Sequence, residues 1–362
     1  MKHFRWTVFI ISIAIVVSGI FGCGKKKDPG KITIGFLLNG INPELQQRDE
    51  QYFTGAAKAL GADVVRLTAE GTQESQNAQA EDLLNEGIDV LVVMPRNAKE
   101  AAAIVKSAHE KNIPVIAYGS PIIDGDLDMC VTFDNKKIGE IQTIGVVQTV
   151  SHGNFILMGG SVSEKGSAAI REGQLFAVNE HELLSGNKIT ILAEPFLEKG
   201  DSKEAQVKTS ELLAKFKKEG KKVDAIIASS DEIASGVIEA LKAEKLQGKV
   251  AVSGQDADLA ACQRIVEGTQ AVTIYKSPKR IAPAAAEAAV RLAKKESPDS
   301  IAKALNLPLN KLNNGTRDVP ALFVEPTPVT GENILNVIVK ERLYPMDKVY
   351  ANVPKDQWPK KY

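Results

Sequence analysis

From residue 31 onward, short apolar runs rich in β-branched residues alternate with longer amphipathic segments. A short, continuous apolar run is typical of a strand that is buried on both faces of a parallel sheet. The longer segments space their apolar residues as a helix does, and they predict helices over Glu44–Leu60, Gln73–Asn85, Lys99–Lys111 and Glu204–Phe216. The predicted strands are Ile32–Leu38, Asp63–Thr68, Val90–Met94, Val115–Tyr118, Cys130–Phe133, Asn154–Met158, Ile189–Ala193, Ala225–Ala228, Val250–Ser253 and Ala271–Tyr275.

This alternation predicts an α/β protein whose parallel sheets carry helices on both faces. Ten strands exceed what one compact doubly wound domain usually holds, so we expect two doubly wound lobes joined by a three-stranded hinge. A ligand cleft is expected where the carboxyl ends of the two sheets face one another. The predicted boundaries are 31–133 plus 277–320 for the N-terminal lobe, 134–276 plus 321–345 for the C-terminal lobe, and 346–362 for a tail.

The N-terminus has the pattern of a secretory signal. Lys2 and Arg5 precede an uncharged, mostly apolar stretch over 6–24, and Cys23 follows a glycine near its end. This arrangement resembles the bacterial lipobox, in which the thiolate of the cysteine is the nucleophile that takes the lipid. The predicted segments are a lipoprotein signal peptide over 1–22, a lipid on Cys23 and a solvated tether over 23–30.

An uncleaved membrane helix is the alternative, because the nineteen uncharged residues are just long enough to span a bilayer. Both interpretations hold the folded body at a membrane and outside the cytoplasm. They differ in the mature N-terminus, which is a lipid-modified Cys23 in the first case and Met1 in the second.

Composition excludes several classes of function. Lys plus Arg and Asp plus Glu both number 45, so the formal net charge is zero, and no basic stripe indicates nucleic acid. Neither a phosphate loop nor a GxSxG elbow occurs, and the histidines and cysteines have no metal-ligand spacing. We therefore expect no catalytic residue, no metal and no cofactor. Cys130 and Cys262 are interpreted as buried free thiols, with a disulfide between them as the alternative.

Several runs of the sequence point to one family: residues 85–95, 133–140, 155–161, 252–260, 274–276 and 312–320. The most specific of them are Gly-Gln-Asp-Ala-Asp, within 252–260, and Asn-Asn-Gly, within 312–320. These runs resemble the D-xylose-binding proteins of bacterial ABC importers, within the type I sugar-binding protein fold. The similarity extends in register from about Lys31 to about Lys340.

The resemblance implies a sugar held by charged and amide side chains at the ends of strands, with aromatic rings on its faces. Asp256 matches an acceptor for sugar hydroxyl groups and Lys276 matches a donor, although the two could instead cap a helix and pair across the hinge. Five other candidates either differ from the family's residue or lie at the end of a strand. They are Ser120 and Ser230, which could instead be turn formers, Asn39, Gln46, and Phe196, which could stack on the sugar in place of a tryptophan.

These departures remove charge and open space after the fourth strand, where the family has Asp-Arg and this chain has Gly119 and Ser120. Trp6 and Trp358 are the only tryptophans, and both lie outside the predicted lobes. The sequence therefore predicts an altered pocket for a ligand that is larger, or poorer in hydroxyl groups, than xylose. It predicts a monomer that delivers a sugar-like solute to an ABC permease by hinge closure, or alternatively a sensor that signals through a membrane receptor or histidine kinase.

Overall fold

The computed structural model describes residues 30–41, 43–161 and 165–360. The predicted signal peptide, Cys23 and all but the last residue of the tether lie outside these ranges. The chain divides into two units, Met1–Lys31 and Ile32–Tyr362, and the account below concerns the second. Across the described ranges, no helix combines the length and the apolar character needed to cross a membrane.

Fourteen strands and eleven α-helices are seen in the described ranges, and they follow the predicted alternation over most of the chain. The strands are β1 Thr33–Leu38, β2 Asp63–Thr68, β3 Val90–Val93, β4 Val115–Gly119, β5 Met129–Phe133, β6 Gly153–Ser161, β7 Ile189–Ala193, β8 Phe196–Leu197, β9 Ala225–Ala228, β10 Ala251–Val252, β11 Thr273–Tyr275, β12 Leu309–Asn313, β13 Asp318–Val324 and β14 Thr327–Val329. The helices are α1 Pro43–Ala59, α2 Gln73–Asn85, α3 Ala102–Glu110, α4 Asn135–Val147, α5 Lys165–Ser185, α6 Ser202–Lys218, α7 Asp231–Ala243, α8 Leu259–Val266, α9 Pro278–Ala293, α10 Pro298–Leu305 and α11 Met346–Val349.

The first sheet has seven strands in the order β12-β13-β5-β4-β3-β1-β2. All neighbours in it are parallel except β12 and β13, which form an antiparallel hairpin. The sequence did not predict this hairpin, because three of the five residues of β12 are polar and β13 contains Pro320. The boundary expected after residue 320 cuts through β13, which pairs with β5 as far as Val324. The third crossing between the sheets therefore lies after Val324.

The second sheet has the order β10-β9-β6-β7, with β8 also paired to β6. An isolated parallel bridge joins Ser253, next to β10, to Val272, next to β11. Both sheets therefore share one winding, in which the second strand lies on one side of the first and the later strands lie on the other. In such a sheet the switch point falls between the first and third strands, which are β1 and β3 here, and β6 and β9 in the second sheet. The expected α/β class with two doubly wound parallel sheets is confirmed.

The residues predicted to form a separate tail pack onto the second half of the molecule. Val349 and Tyr350 are buried in a cluster with Cys262 of α8, and the Trp358 ring lies 6.0 Å from the Tyr350 ring. The Trp358 indole also donates a hydrogen bond to the Val353 carbonyl at 2.8 Å. A few apolar side chains are therefore enough to pack this segment against the second half of the molecule, although its overall polarity predicts no structure.

The two described cysteines are buried free thiols, so the alternative of a Cys130–Cys262 disulfide is excluded. Cys130 lies in β5 of the first sheet, whereas Cys262 lies in α8 beside the second. Burial raises the pKa of the Cys130 thiol to about 12, which keeps it protonated and unreactive.

Glycines allow α4 and α5 to cross with their backbones in contact. A Cβ atom at Gly173 of α5 would lie 1.9 Å from the Lys136 carbonyl oxygen of α4. A Cβ atom at Gly139 of α4 would likewise lie 1.9 Å from the Ile170 carbonyl oxygen. This crossing sets how closely the helices that cover the second sheet can pack.

Candidate functional site

A cavity of about 780 Å³ lies at the carboxyl ends of both sheets. Asn97, Ser120 and Thr132 come from the first half of the molecule, and Ser230 and Asp256 come from the second. Its size falls within the range of small-molecule sites, and its position is the one predicted for the cleft.

Asp256 and Lys276 meet in this cavity. A carboxylate oxygen of Asp256 lies 2.8 Å from the Lys276 ammonium nitrogen, with 49% of the Asp256 side chain and 38% of the Lys276 side chain exposed. Burial alone would raise the pKa of Asp256, but the charge of Lys276 and hydrogen bonds from Lys276 and Gln255 outweigh it and lower the pKa below its usual value. The carboxylate is therefore ionised at neutral pH and can accept hydrogen bonds from hydroxyl groups.

The loop that presents Asp256 has an unusual backbone. Asp256 has φ of 105° and Ala257 has φ of 52°, a region that residues other than glycine rarely occupy. The backbone amide of Asp256 donates to the Ile274 carbonyl, and that of Ala257 donates to the Thr273 hydroxyl. The alternative role of Asp256 as a helix cap is excluded, because Asp258 caps α8.

A second carboxylate, that of Asp231, is fully buried and stabilises this loop. Asp231 accepts hydrogen bonds from the Gln270 amide at 2.9 Å, the Thr273 hydroxyl at 2.8 Å and the Asp258 backbone amide at 3.1 Å. Burial and the nearby charge of Asp258 raise the pKa of Asp231 to about 7, and these hydrogen bonds oppose the rise. Asp231 thus stabilises the Asp256 loop and does not itself line the cavity.

The two serine candidates differ in their local roles. Ser230 is the N-cap of α7, and its hydroxyl oxygen accepts a hydrogen bond from the Ile233 amide at 3.2 Å while the residue also lines the cavity. Ser120 is an exposed residue that follows β4 and lines the opposite side. Contact of either residue with a ligand stays a prediction.

The structure places the other three candidates away from the cavity lining. Asn39 and Gln46 are buried and bonded to each other, and the Asn39 side chain also donates to the Pro95 carbonyl. The Phe196 ring stacks on the Arg171 guanidinium, whose central carbon lies 4.5 Å from the ring centroid. The two amides bond to each other and the ring packs on Arg171, so no geometry supports the predicted contact of these three residues with a ligand.

Sequence reasoning missed five buried polar residues that line the cavity: Thr132, Ser161, Ser167, Ser229 and Gln255. Ser229 directly follows β9 and Gln255 directly precedes Asp256, so position at a strand end was the available signal. The Gln255 amide donates to Asp256 at 3.2 Å, while its carbonyl oxygen is buried and has no hydrogen-bond partner in the described part of the chain. Within the described ranges, no cluster of residues could hold a metal ion.

Comparisons with known proteins cover most of this chain. Residues 34–297 match the family described as Periplasmic binding protein domain. The D-xylose-binding periplasmic protein of Escherichia coli (strain K12) is 37% identical over 311 residues, which are 86% of this chain and 90% of that protein. Its counterpart from Haemophilus influenzae is 36% identical over 320 residues, 88% of this chain and 92% of that protein.

A solved structure of a periplasmic ribose ABC transporter from Conexibacter woesei shows the same fold, with a TM-score of 0.70 and 20% sequence identity. The match covers 86% of this chain and 97% of that one. These proteins are periplasmic binding proteins, which confirms that this chain is a binding protein outside the cytoplasm and not an enzyme. The chain belongs to the family of the D-xylose-binding periplasmic proteins.

Proposed function

We propose that this protein captures a sugar or sugar-like solute in its cavity and delivers it, as a monomer, to an ABC permease. The observation that carries the proposal is the Asp256–Lys276 pair, an acceptor and a donor side by side in a cavity lined by both halves. Hydroxyl groups of a sugar can bond to both, and a ligand that touches both halves favours the closed form. The names of the relatives support import of a sugar.

The ligand is proposed to differ from xylose. Gly119 and Ser120 line the first-half wall and bring no charge to it, and the Phe196 ring packs on Arg171 and does not line the cavity. Each hydrogen bond to a charged group contributes about 1.5–3 kcal/mol, so the loss of an Asp-Arg pair removes several kilocalories of affinity for a pentose. A larger solute, or one with fewer hydroxyl groups, fits this wall better.

A thermal-shift screen of the purified protein against pentoses, hexoses, polyols and nucleosides tests the proposal. At a concentration about 100 times its dissociation constant, the cognate solute should stabilise the folded state by about 2.7 kcal/mol. A screen without a stabilising sugar or polyol would contradict sugar binding. A large shift with xylose alone would contradict the altered pocket.

The membrane tether is proposed to be a lipid on Cys23, since the apolar stretch ends at this cysteine with a glycine before it. The mature protein should therefore begin at a modified Cys23. Mass spectrometry of protein extracted from the membrane measures this directly, and a retained Met1 would be the contrary result.

A further inference from the structure

The hydrogen bonds to the Asp231 carboxylate all come from donors. One carboxylate oxygen accepts from the Gln270 amide at 2.9 Å, and the other accepts from the Thr273 hydroxyl at 2.8 Å and from the Asp258 backbone amide at 3.1 Å. Asp231 is 1% exposed. Because an ionised carboxylate only accepts hydrogen bonds, these partners suit the ionised form, whereas a protonated carboxyl group also has a proton to donate.

Other hydrogen bonds hold the two side-chain donors in these orientations. The Gln270 carbonyl oxygen accepts from Arg264 at 2.9 Å, so Gln270 cannot turn its carbonyl toward Asp231 without losing that bond. The Thr273 hydroxyl oxygen already accepts from the Ala257 backbone amide at 3.1 Å. A protonated Asp231 can donate to Thr273 only if the Thr273 proton leaves its present acceptor, which leaves a buried donor unpaired.

The same hydrogen bonds hold the backbone of the loop that presents Asp256. The amide of Asp258 binds Asp231 directly, and the amide of Ala257 binds it through the Thr273 hydroxyl. The positive φ angles of Asp256 and Ala257 are of a kind that persists only where the surrounding structure fixes them. Protonation of Asp231 therefore weakens the bonds that keep the Asp256 carboxylate in the cavity.

Asp231 gains and loses its proton near neutral pH. Burial and the charge of Asp258 raise the pKa of Asp231 to about 7, although its hydrogen bonds oppose the rise. Burial opposes the ionisation of Asp256, but the charge of Lys276 outweighs it and lowers the pKa of Asp256, which stays ionised in this range. Burial raises the pKa of the Cys262 thiol, which stays neutral. The charged or titratable groups around Asp231 are Asp258, Cys262 and Arg264 in α8 and its cap, the Asp256–Lys276 pair, and the exposed Glu232 next to it in α7.

We propose that Asp231 is a positioning residue whose ionised form is needed for tight binding, so that this protein captures its solute strongly above neutral pH and weakly in acid. Asp231 does not line the cavity, so it acts on the solute through the loop of Asp256. This pH dependence rests on the proposed function, because it requires a solute that Asp256 binds.

The test is titration calorimetry of the full protein with D-xylose, D-ribose and D-glucose, from about pH 5 to about pH 8. These sugars are uncharged, so any pH dependence comes from the protein. The affinity for the sugar that binds best should be about 5- to 50-fold lower at the acid end of this range, since one titrating group changes an affinity by at most about tenfold per pH unit.

Acid should not weaken the fold of the free protein over the same range. Folding raises the pKa of Asp231, so the folded state binds this proton more tightly than the unfolded chain does. Asp231 therefore adds stability as the pH falls through about 7, and the melting temperature should stay equal or rise while the affinity falls. A parallel fall of melting temperature and affinity would indicate acid unfolding and would overturn the proposal.

Three variants assign the effect to Asp231. Asp258→Asn keeps an N-cap for α8 but removes the charge that raises the pKa of Asp231, so the fall in affinity should move to lower pH. Asp231→Asn cannot ionise and brings an amide donor among donors, so its affinity should be as low as that of the wild type in acid and nearly independent of pH. Asp49→Asn is the control: burial raises the pKa of Asp49 to about 6, but Asp49 bonds to Tyr118 in the first half, so the pH profile should not change.

The role of Asp231 and the proposed function can fail separately. If the wild-type protein binds a sugar equally well across the pH range, or if Asp258→Asn has the same pH profile as the wild type, the role of Asp231 is refuted and the proposed function stands. Loss of the pH dependence in Asp49→Asn would refute it as well. If the wild-type protein binds none of the three sugars at any pH, the role of Asp231 fails together with that function.

Discussion

Asp256→Ala should abolish measurable binding of any sugar that the wild-type protein binds. The ionised carboxylate can accept two hydrogen bonds from hydroxyl groups, each contributing about 1.5–3 kcal/mol. Their loss corresponds to a fall in affinity of at least about 100-fold, since every 1.4 kcal/mol is a factor of ten. The substitution also leaves the Lys276 ammonium without its partner at 2.8 Å. Titration calorimetry on the purified variant measures the effect.

Two further variants separate ligand contact from a structural role. Asp256→Asn keeps the shape and one acceptor oxygen but lacks the charge, so its affinity should lie between those of the wild type and the alanine variant. Asp82→Ala removes an exposed carboxylate from α2 and should leave affinity unchanged. The Asp256–Lys276 pair is partly exposed to solvent, so its loss should change the free energy of unfolding by about 1 kcal/mol or less. If Asp256→Ala strongly lowers stability and leaves affinity unchanged, Asp256 has a structural role and does not contact the ligand.

Gly173→Ala should destabilise the protein by about 2–3 kcal/mol, the upper part of the usual range for overpacking. The new methyl group would lie 1.9 Å from the Lys136 carbonyl oxygen, a backbone atom that cannot rotate away. The two helices must therefore separate, and the packing over the second sheet loosens. Urea unfolding followed by circular dichroism measures the change in the free energy of unfolding.

Gly55→Ala is the matched control, because it makes the same substitution inside a helix. Gly55 lies on an exposed face of α1, and a Cβ atom there would meet nothing within 4 Å. Alanine is the better helix former, so this variant should be more stable than the wild type by about 0.5–1 kcal/mol. Equal effects of the two substitutions would show that helix propensity decides the outcome and that the close crossing does not.

Hydrophobic patterning predicted the buried strands well, because parallel strands covered on both faces are continuous apolar runs. Asp63–Thr68, Ile189–Ala193 and Ala225–Ala228 have the predicted bounds, and the other predicted strands differ by one to three residues at their ends. The pattern failed at the edge of the first sheet. There three of the five residues of β12 are polar, and the turn after it is stabilised by Asn314, whose buried amide donates to the Ile122 and Gly125 carbonyls.

The candidate site was predictable where a charged residue directly follows a strand, as Lys276 follows β11. Position in sequence could not show that Asn39 and Gln46 bond to each other, because that pairing depends on how α1 packs against the end of β1. It also could not distinguish Ser229 from an ordinary turn former, since both follow a strand. Burial in the cavity wall separates the two cases, and only the folded structure shows burial.

The pairing of β13 with β5 has a consequence for the order in which the chain can fold. The first sheet joins residues 318–324 to residues 129–133, and the cluster around Cys262 includes Val349 and Tyr350. Neither half of the molecule is thus built from one continuous stretch of sequence. Contacts between residues far apart in sequence slow folding, because the loop entropy is lost before the contacts form. Both halves, and the cavity between them, are completed only when the last part of the chain is in place.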